Sequence, residues 1–363
     1  MITLFLYFRS VLIMSIDLET IRQLVEAFGP SGMENEVRNF IIEKISSMGL
    51  DAKVDKLGNI IVEIKKDKEL PMVILDAHMD EVGFLITHID KNGFLRFEIL
   101  GGIDDRILLS QRVVIRTKEG YIYGVIGSKA PHLLTPEEKS KVLHYRSLFI
   151  DIGASSREEV EELGVTIGSM GVFDSKFVVQ KNRIIGKAFD DRIGCFILLN
   201  MIKKADFLPV NLTCIFSIQE EVGLRGARAL SMTLNGDYAF ALERTAAADT
   251  PGVLEHDYST KLGAGPAITI ADKASISHPK LVNFVVRIAR EHNIPYQFKG
   301  RMVGGTDAAA YQYVRYGIPS ITISVPSRYI HSAHSIADIE DIKNATKLLS
   351  TVLENLRNGG PIE

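Results

Sequence analysis

Histidines and acids recur along this chain where short apolar runs break off. His78 and Asp80 follow Met72-Val73-Ile74-Leu75, Glu220 and Glu221 follow residues 212–218, Glu243 follows 238–242, and His331 stands a few residues past Val325. Asp190 and Asp191 sit just ahead of an apolar helical stretch, 193–202. Borderline metals such as zinc take imidazole and carboxylate ligands. Two such ions about 3.5–4 Å apart share a ligand, and a bridging carboxylate does that. An acid beside a terminal ligand can then serve as general base on a water. Glu220-Glu221 offers both roles in consecutive residues, and His78-Met79-Asp80 offers a ligand imidazole with a carboxylate near enough to orient it.

Each residue taken singly has a plainer account. Asp190 or Asp191 can be a helix N-cap, favoured there by the helix dipole. Glu220-Glu221 can be a solvated pair before a helix, Glu243 a surface partner of nearby charges, and His331 or His334 a loop histidine. His331 and His334 are three apart, a spacing that chelates on a helix, but their stretch reads as a loop. Gly304-Gly305 reads as a tight turn opening a helix, without the lysine pattern of a phosphate loop. Chance is a poor account of all these groups falling at one edge of a sheet.

The elements that must position them alternate. Asp17 caps a helix with Leu18, Ile21, Leu24, Val25 and Phe28 on one face, and a second helix turns Val37, Phe40, Ile41 and Ile45 inward. Strands are expected over 52–54, 59–64 and 72–75. From about 82 to 170 the texture changes to short β-branched or alternating runs, at 84–89, 94–99, 113–116 and 122–126, separated by glycine turns. One helix is expected there, over 157–163, capped by Ser155 or Ser156. That segment reads as a small β-barrel-like domain. Past Gly186 the pattern is β-α-β: helices over 190–204, 224–232, 279–292, 307–316 and 339–356, strands over 212–218, 238–242, 267–270 and 320–325. The fold class expected is α/β, a mixed, largely parallel sheet with helices on both faces, in which ligands bind at the carboxyl ends of strands.

The expected division is a discontinuous catalytic domain, 14–82 and 171–363, interrupted by a β-rich insertion, 83–170. Residues 1–13 are apolar apart from Arg9, with neither a basic start nor a cleavage site, and are too short to span a bilayer. They read as an extension, or as residues upstream of a true start at Met14. Net charge is −3 with both signs interspersed, which argues against nucleic acid or a membrane surface as partner. The two cysteines, Cys195 and Cys214, lie in apolar runs and read as reduced core residues of a cytoplasmic protein.

Five motifs occur in one order: Ala77-His78-Met79-Asp80-Glu81-Val82-Gly83-Phe84, Ala188-Phe189-Asp190-Asp191-Arg192-Ile193-Gly194, Gln219-Glu220-Glu221-Val222-Gly223, Gly304-Gly305-Thr306-Asp307-Ala308 and Tyr329-Ile330-His331-Ser332. Together they resemble the tetrahedral (TET-type) aminopeptidases, a family that includes glutamyl and deblocking aminopeptidases, over about residues 18–356. The resemblance implies a zinc-peptidase domain carrying two divalent ions, zinc or cobalt, with Asp190 as bridge. His78 and Glu243 would complete one site, Glu221 and His331 the other. Glu220 would be the general base, Asp80 the support of His78, and Asp191 a neighbour that does not ligate. Many members carry Asp where this chain has Glu243; Glu is a competent ligand with one more methylene. The resemblance also implies peptide substrates, and a homo-oligomer in which dimers, joined largely through the inserted domain, build a hollow dodecamer. The rival expectations are a deacetylase-type or endoglucanase-labelled metallohydrolase on the same scaffold, and a non-enzymatic shell with a structural metal. The surplus acid Glu220 speaks against the latter, because a closed structural site needs only its ligands.

Overall fold

A computed structural model describes residues 16–314, 316–356 and 361. The expected extension, 1–13, and the question of a start at Met14 lie outside the described residues. Two bodies of secondary structure are present: an 11-stranded mixed sheet with helices, and a closed barrel.

Four parallel strands form the middle of the sheet, in the order Asn211–Ser217, Met72–His78, Tyr238–Ala246, Ser320–Arg328. Their residues are buried almost throughout, as expected for strands covered on both faces. Antiparallel strands extend both edges: Ile60–Ile64 and Lys53–Val54 on one side, Ser335–Asp338, Arg183–Gly186 and Val178–Gln180 on the other. The three edge strands on the second side have no counterpart in the sequence expectation. Alternation is too brief there to register as a strand, and pairing with a distant segment supplies what local pattern does not.

Helix Phe189–Lys204 lies against the Met72–His78 and Tyr238–Ala246 strands, with Ile193, Phe196, Ile197 and Leu198 inside the main core. Helix Leu18–Glu26 packs on it and starts where Asp17 accepts the Thr20 N–H at 3.0 Å. A cap of that kind contributes about 1 kcal/mol. On the other face, Ala310, Tyr311 and Val314 meet Ile74, Ile215 and Ala239.

Strand lengths depart from expectation in an informative way. The Tyr238–Ala246 strand runs past Leu242, because its pairing with the Ser320–Arg328 strand continues to Ala246 opposite Ser327. Glu243 therefore lies inside a strand rather than after one. The helix expected over 307–316 is only Ala308–Gln312; the chain then turns through Gly317, whose φ of 79° glycine tolerates without cost.

The barrel closes in the order Gly83–Ile89, Leu95–Leu100, Phe149–Asp151, Tyr121–Gly127, Arg112–Arg116, Met170–Phe173, with every pair antiparallel. Its core holds Phe84 edge-on to both Phe97 and Phe173, with ring centroids 5.3 and 5.1 Å apart. Such pairs add about 0.5–1.5 kcal/mol beyond the area they bury. The expected helix appears as Arg157–Glu162, capped by Ser156. No described helix is long and apolar enough to cross a membrane. Cys195 and Cys214 are both buried and unpaired.

Candidate metal centre

His78 is the last residue of its strand, and parallel register places it opposite Ser217, with Ala241 opposite Asp76. Continuing that register brings Glu243 level with His78. The two are 3.8 Å apart, from Nε2 to Oε2, and both are buried. Past Ser217 the chain turns through Gln219, held at a φ of 54°, and presents Glu220 and Glu221 over the same strand ends. Glu220 Oε2 lies 3.8 Å from His78 Nε2.

Asp190 joins from the start of a helix, and here the two aspartates divide their work. Asp190 and Asp191 have non-helical backbone angles, and the peptide between them is cis. Asp191 Oδ1 accepts the Gly194 N–H at 3.0 Å, so Asp191 is the residue that caps the helix. Asp190 is left free to face the centre. Its Oδ1 lies 3.3 Å from His78 Nε2 and its Oδ2 lies 3.1 Å from His331 Nε2. His331 is also 3.2 Å from Glu221 Oε1. The ligand atoms of His78, Asp190 and Glu221 lie within 4.8 Å of one another, and so do those of His78, Asp191 and Glu243. All five expected ligands, with Glu220 and Asp80, are thus gathered at one place. Asp191 stands closer to His78 and Glu243 than a mere neighbour of the bridge was expected to.

Both imidazoles are oriented from behind. His78 Nδ1 lies 3.1 Å from the Asp80 carbonyl, and His331 Nδ1 lies 2.7 Å from the carbonyl of Gly102, which belongs to the turn after the barrel strand Leu95–Leu100. A ring that donates through Nδ1 turns a lone pair outward on Nε2, the arrangement a metal ligand needs. The barrel touches the centre a second time at Gly101: a Cβ there would stand 3.1 Å from Glu221 Oε2 and 2.8 Å from Val82, and its φ is 82°. Asp80 reaches further than expected. Its carboxylate is 3.4 Å from His78 Nδ1, accepts the N–H groups of Glu220 at 3.0 Å and Glu221 at 3.2 Å, and takes the Ser31 hydroxyl at 2.6 Å.

Burial and mutual repulsion distort the titration of the whole group. Burial pushes Glu220, Glu243 and Asp191 well above the usual carboxylate range, and Glu221 up as well. Burial would lower His78, but the Asp190 and Asp80 carboxylates hold it well above the usual imidazole range; His331 is raised by Glu221 and Asp190 against the same desolvation. Asp190 is depressed, because hydrogen bonds to His331 and His78 outweigh its burial. So many buried acids facing two imidazoles need positive charge. The buried Glu221 Oε1 faces His331 Nε2 across 3.2 Å, and both atoms carry lone pairs that suit an ion. The donor set of imidazole nitrogens and carboxylate oxygens fits zinc or cobalt.

Three further residues escaped sequence reasoning. Glu81, Lys187 and Arg192 are buried together. Lys187 Nζ donates to both Glu81 oxygens, at 2.6 and 2.8 Å, and Arg192 Nη2 reaches Oε1 at 3.3 Å. Arg192 also donates to the carbonyls of Met79, Leu24 and Gly29. The turn carrying Asp190 is therefore gripped on both sides and tied to the end of the His78 strand. Charged residues inside apolar runs were the available signal. His334, by contrast, turns to Ser175, 3.2 Å away, and takes no part.

The chain is similar to known proteins over most of its length. The M42 glutamyl aminopeptidase family matches residues 58–348. The chain is 37% identical to the putative aminopeptidase FrvX of Escherichia coli, over 94% of this chain and 96% of that one. It is 33% identical to the lysyl aminopeptidase of Pyrococcus furiosus, over 94% and 98%. Among solved structures, the aminopeptidase APDkam598 of Desulfurococcus kamchatkensis matches with a TM-score of 0.89 at 40% identity, covering 94% of this chain and 95% of that one. The TET1 peptidase of Pyrococcus horikoshii, described as able to assemble into a tetrahedron or a large octahedral shell, matches with a TM-score of 0.83 at 36% identity, covering 93% and 99%. With its peptidase fold, its ordered motifs and these relatives, the chain belongs to the M42 glutamyl aminopeptidase family and is a peptide-bond hydrolase.

Proposed function

We propose that the chain is a two-metal aminopeptidase that releases N-terminal residues from peptides, with Glu220 as general base. The observation that carries this reading is the split carboxylate of Asp190, whose two oxygens face two different imidazoles. His78, Glu243 and Asp190 would hold one divalent ion, and Glu221, His331 and Asp190 the other, zinc or cobalt in each case. Ions held there supply Lewis acidity to the scissile carbonyl and to water.

The remaining chemistry belongs to side chains. Glu220 stands beside the centre, its Oε2 3.8 Å from His78 Nε2, and burial keeps its proton affinity high. It takes a proton from the attacking water and returns it to the leaving amine as the C–N bond breaks, so the carboxylate ends as it began. Asp80 keeps the Glu220 and Glu221 main chain and the His78 ring in register. The division into a catalytic domain, 14–82 and 171–363, and an inserted domain, 83–170, is part of the same reading, although the barrel's closing strand reaches Phe173. So is a cytoplasmic homo-oligomer, a dodecamer built from dimers joined through the barrel, supported by the assemblies of the P. horikoshii relative.

The test is a chelator-stripped preparation assayed on a panel of aminoacyl anilides and on soluble cellulose. Activity on the anilides should vanish and return with zinc or cobalt, and Glu220→Gln should bind the ions yet lose about 100-fold or more in turnover. Hydrolysis of cellulose alone, or full turnover in Glu220→Gln, overturns the reading.

A further inference from the structure

Arg244 is a charge in this centre that the chemistry above leaves unused. It follows Glu243 directly on the Tyr238–Ala246 strand, and strand alternation turns the two side chains to opposite faces. The Arg244 side chain is wholly shielded from solvent. Its Nη2 donates to the Ser327 carbonyl at 3.1 Å, while Nε and Nη1 have no hydrogen-bond partner. Nη1 lies 3.8 Å from Asp190 Oδ2, the oxygen that faces His331. Arg192 offers the contrast within the same protein, since its Nε, Nη1 and Nη2 all donate to carbonyls or to Glu81.

A guanidinium anchored by one hydrogen bond keeps its charge in place, and here that charge lies at 3.8 Å from Asp190 Oδ2. The acid it approaches is Asp190, through Oδ2, the oxygen that faces His331, and His331 lies 3.2 Å from Glu221 in the same expected site. A fixed cation there acts on an ion between Asp190, Glu221 and His331 in two ways. It competes for Asp190 Oδ2, and it repels the ion across a dry interior where salt screens little. Asp190 Oδ1 faces His78 instead, and Glu243, beside Arg244 in sequence, points to the opposite face of the strand.

We propose that Arg244 makes the Asp190–Glu221–His331 position the weaker of the two metal sites, so that its ion exchanges while the ion at His78 and Glu243 stays. This rests on the two-metal reading above. The sign of the effect separates it from a packing role, because lost packing loosens a site whereas lost repulsion tightens it.

The experiment is calorimetric titration of the chelator-stripped full chain with cobalt, for the unaltered protein and for Arg244→Gln, Arg244→Met and Arg244→Lys, each checked for fold by circular dichroism. The unaltered protein should take up two ions in separable steps. Gln and Met should tighten the weaker step by about tenfold and leave the tighter step nearly unmoved, while Lys, which keeps the charge, should stay within about threefold of the unaltered protein. A weaker step that is unchanged or loosened in both neutral variants overturns the proposal, and Met serves where Gln does not fold. Uptake of a single ion by the unaltered protein would instead overturn the two-metal reading, and this proposal with it.

Discussion

Asp80 and Glu220 are joined through the main chain: Asp80 Oδ1 accepts the Glu220 N–H at 3.0 Å, while the same carboxylate lies 3.4 Å from His78 Nδ1. One acid thus sets both the direction of a ligand ring and the position of the proposed base. Asp80→Asn removes the charge and turns an amide donor toward groups that also donate. Partners of this kind cost about 10–100-fold in metal affinity or activity when altered. Turnover on an aminoacyl anilide and a metal titration of the same variant should both show the loss; values within twofold of the unaltered protein would reduce Asp80 to a packing residue.

The two aspartates of the Asp190-Asp191 pair should respond differently to the same change. Asn is as good a helix cap as Asp, so Asp191→Asn should keep the fold to within about 0.5 kcal/mol and retain bound metal. Asp190→Asn takes the negative charge from between two imidazoles, 3.3 and 3.1 Å away, and should empty the centre. Metal content by mass spectrometry after dialysis reads both. Loss of metal in Asp191→Asn with retention in Asp190→Asn would move the bridge to Asp191, whose carboxylate oxygen also lies near the His78 ring nitrogen and a Glu243 oxygen.

Much of this centre is legible in the order of residues alone. An acid or a histidine that closes a buried apolar run has little reason to be there in a plain core, and His78, Glu220 and Glu221 carry that mark, with His331 a few residues past such a run. The change of texture near Val82 marks the barrel, because β-branched alternation and glycine turns are local properties. What local pattern does not carry is register. That Glu243 lies inside its strand depends on pairing with Ser324, and that Gly102 supports His331 depends on how the barrel sits against the sheet. The division between Asp190 and Asp191 is hidden for a related reason: both residues are good caps, and only backbone angles reveal which one accepts the Gly194 N–H.

The Glu81 cluster makes a prediction about stability. Its three side chains are buried, and Glu81→Gln would leave Lys187 with no full counter-charge. Breaking a buried pair by removing one partner costs about 3–5 kcal/mol. Urea unfolding of the metal-free protein should show a loss of that order. Because the turn between Lys187 and Arg192 carries Asp190, metal affinity should fall with it. A variant as stable as the unaltered protein would mean that water or another acid satisfies Lys187.

Proton binding and metal binding should compete at this centre, with a predictable sign. In the metal-free protein His78 and His331 are raised above their ordinary value of 6.5, and Glu220 and Glu243 above theirs of 4.5. A group whose folded pKa exceeds its unfolded one contributes stability that is complete below the unfolded value and is lost as pH rises through the folded value. Asp190, depressed from 3.8, acts the other way, but its contribution is lost only at more acidic pH. The thermal midpoint of the metal-free protein should therefore fall as pH is raised above the ordinary imidazole value of 6.5 and the clustered acids and imidazoles shed the protons that shield them. Zinc or cobalt replaces those protons, so its stabilising effect should grow over the same rise in pH. Differential scanning fluorimetry at fixed ionic strength, with and without metal, reads both trends. A metal-free midpoint that rises with pH would show that the buried acids are compensated by a charge other than protons, and Arg244 would be the first residue to alter.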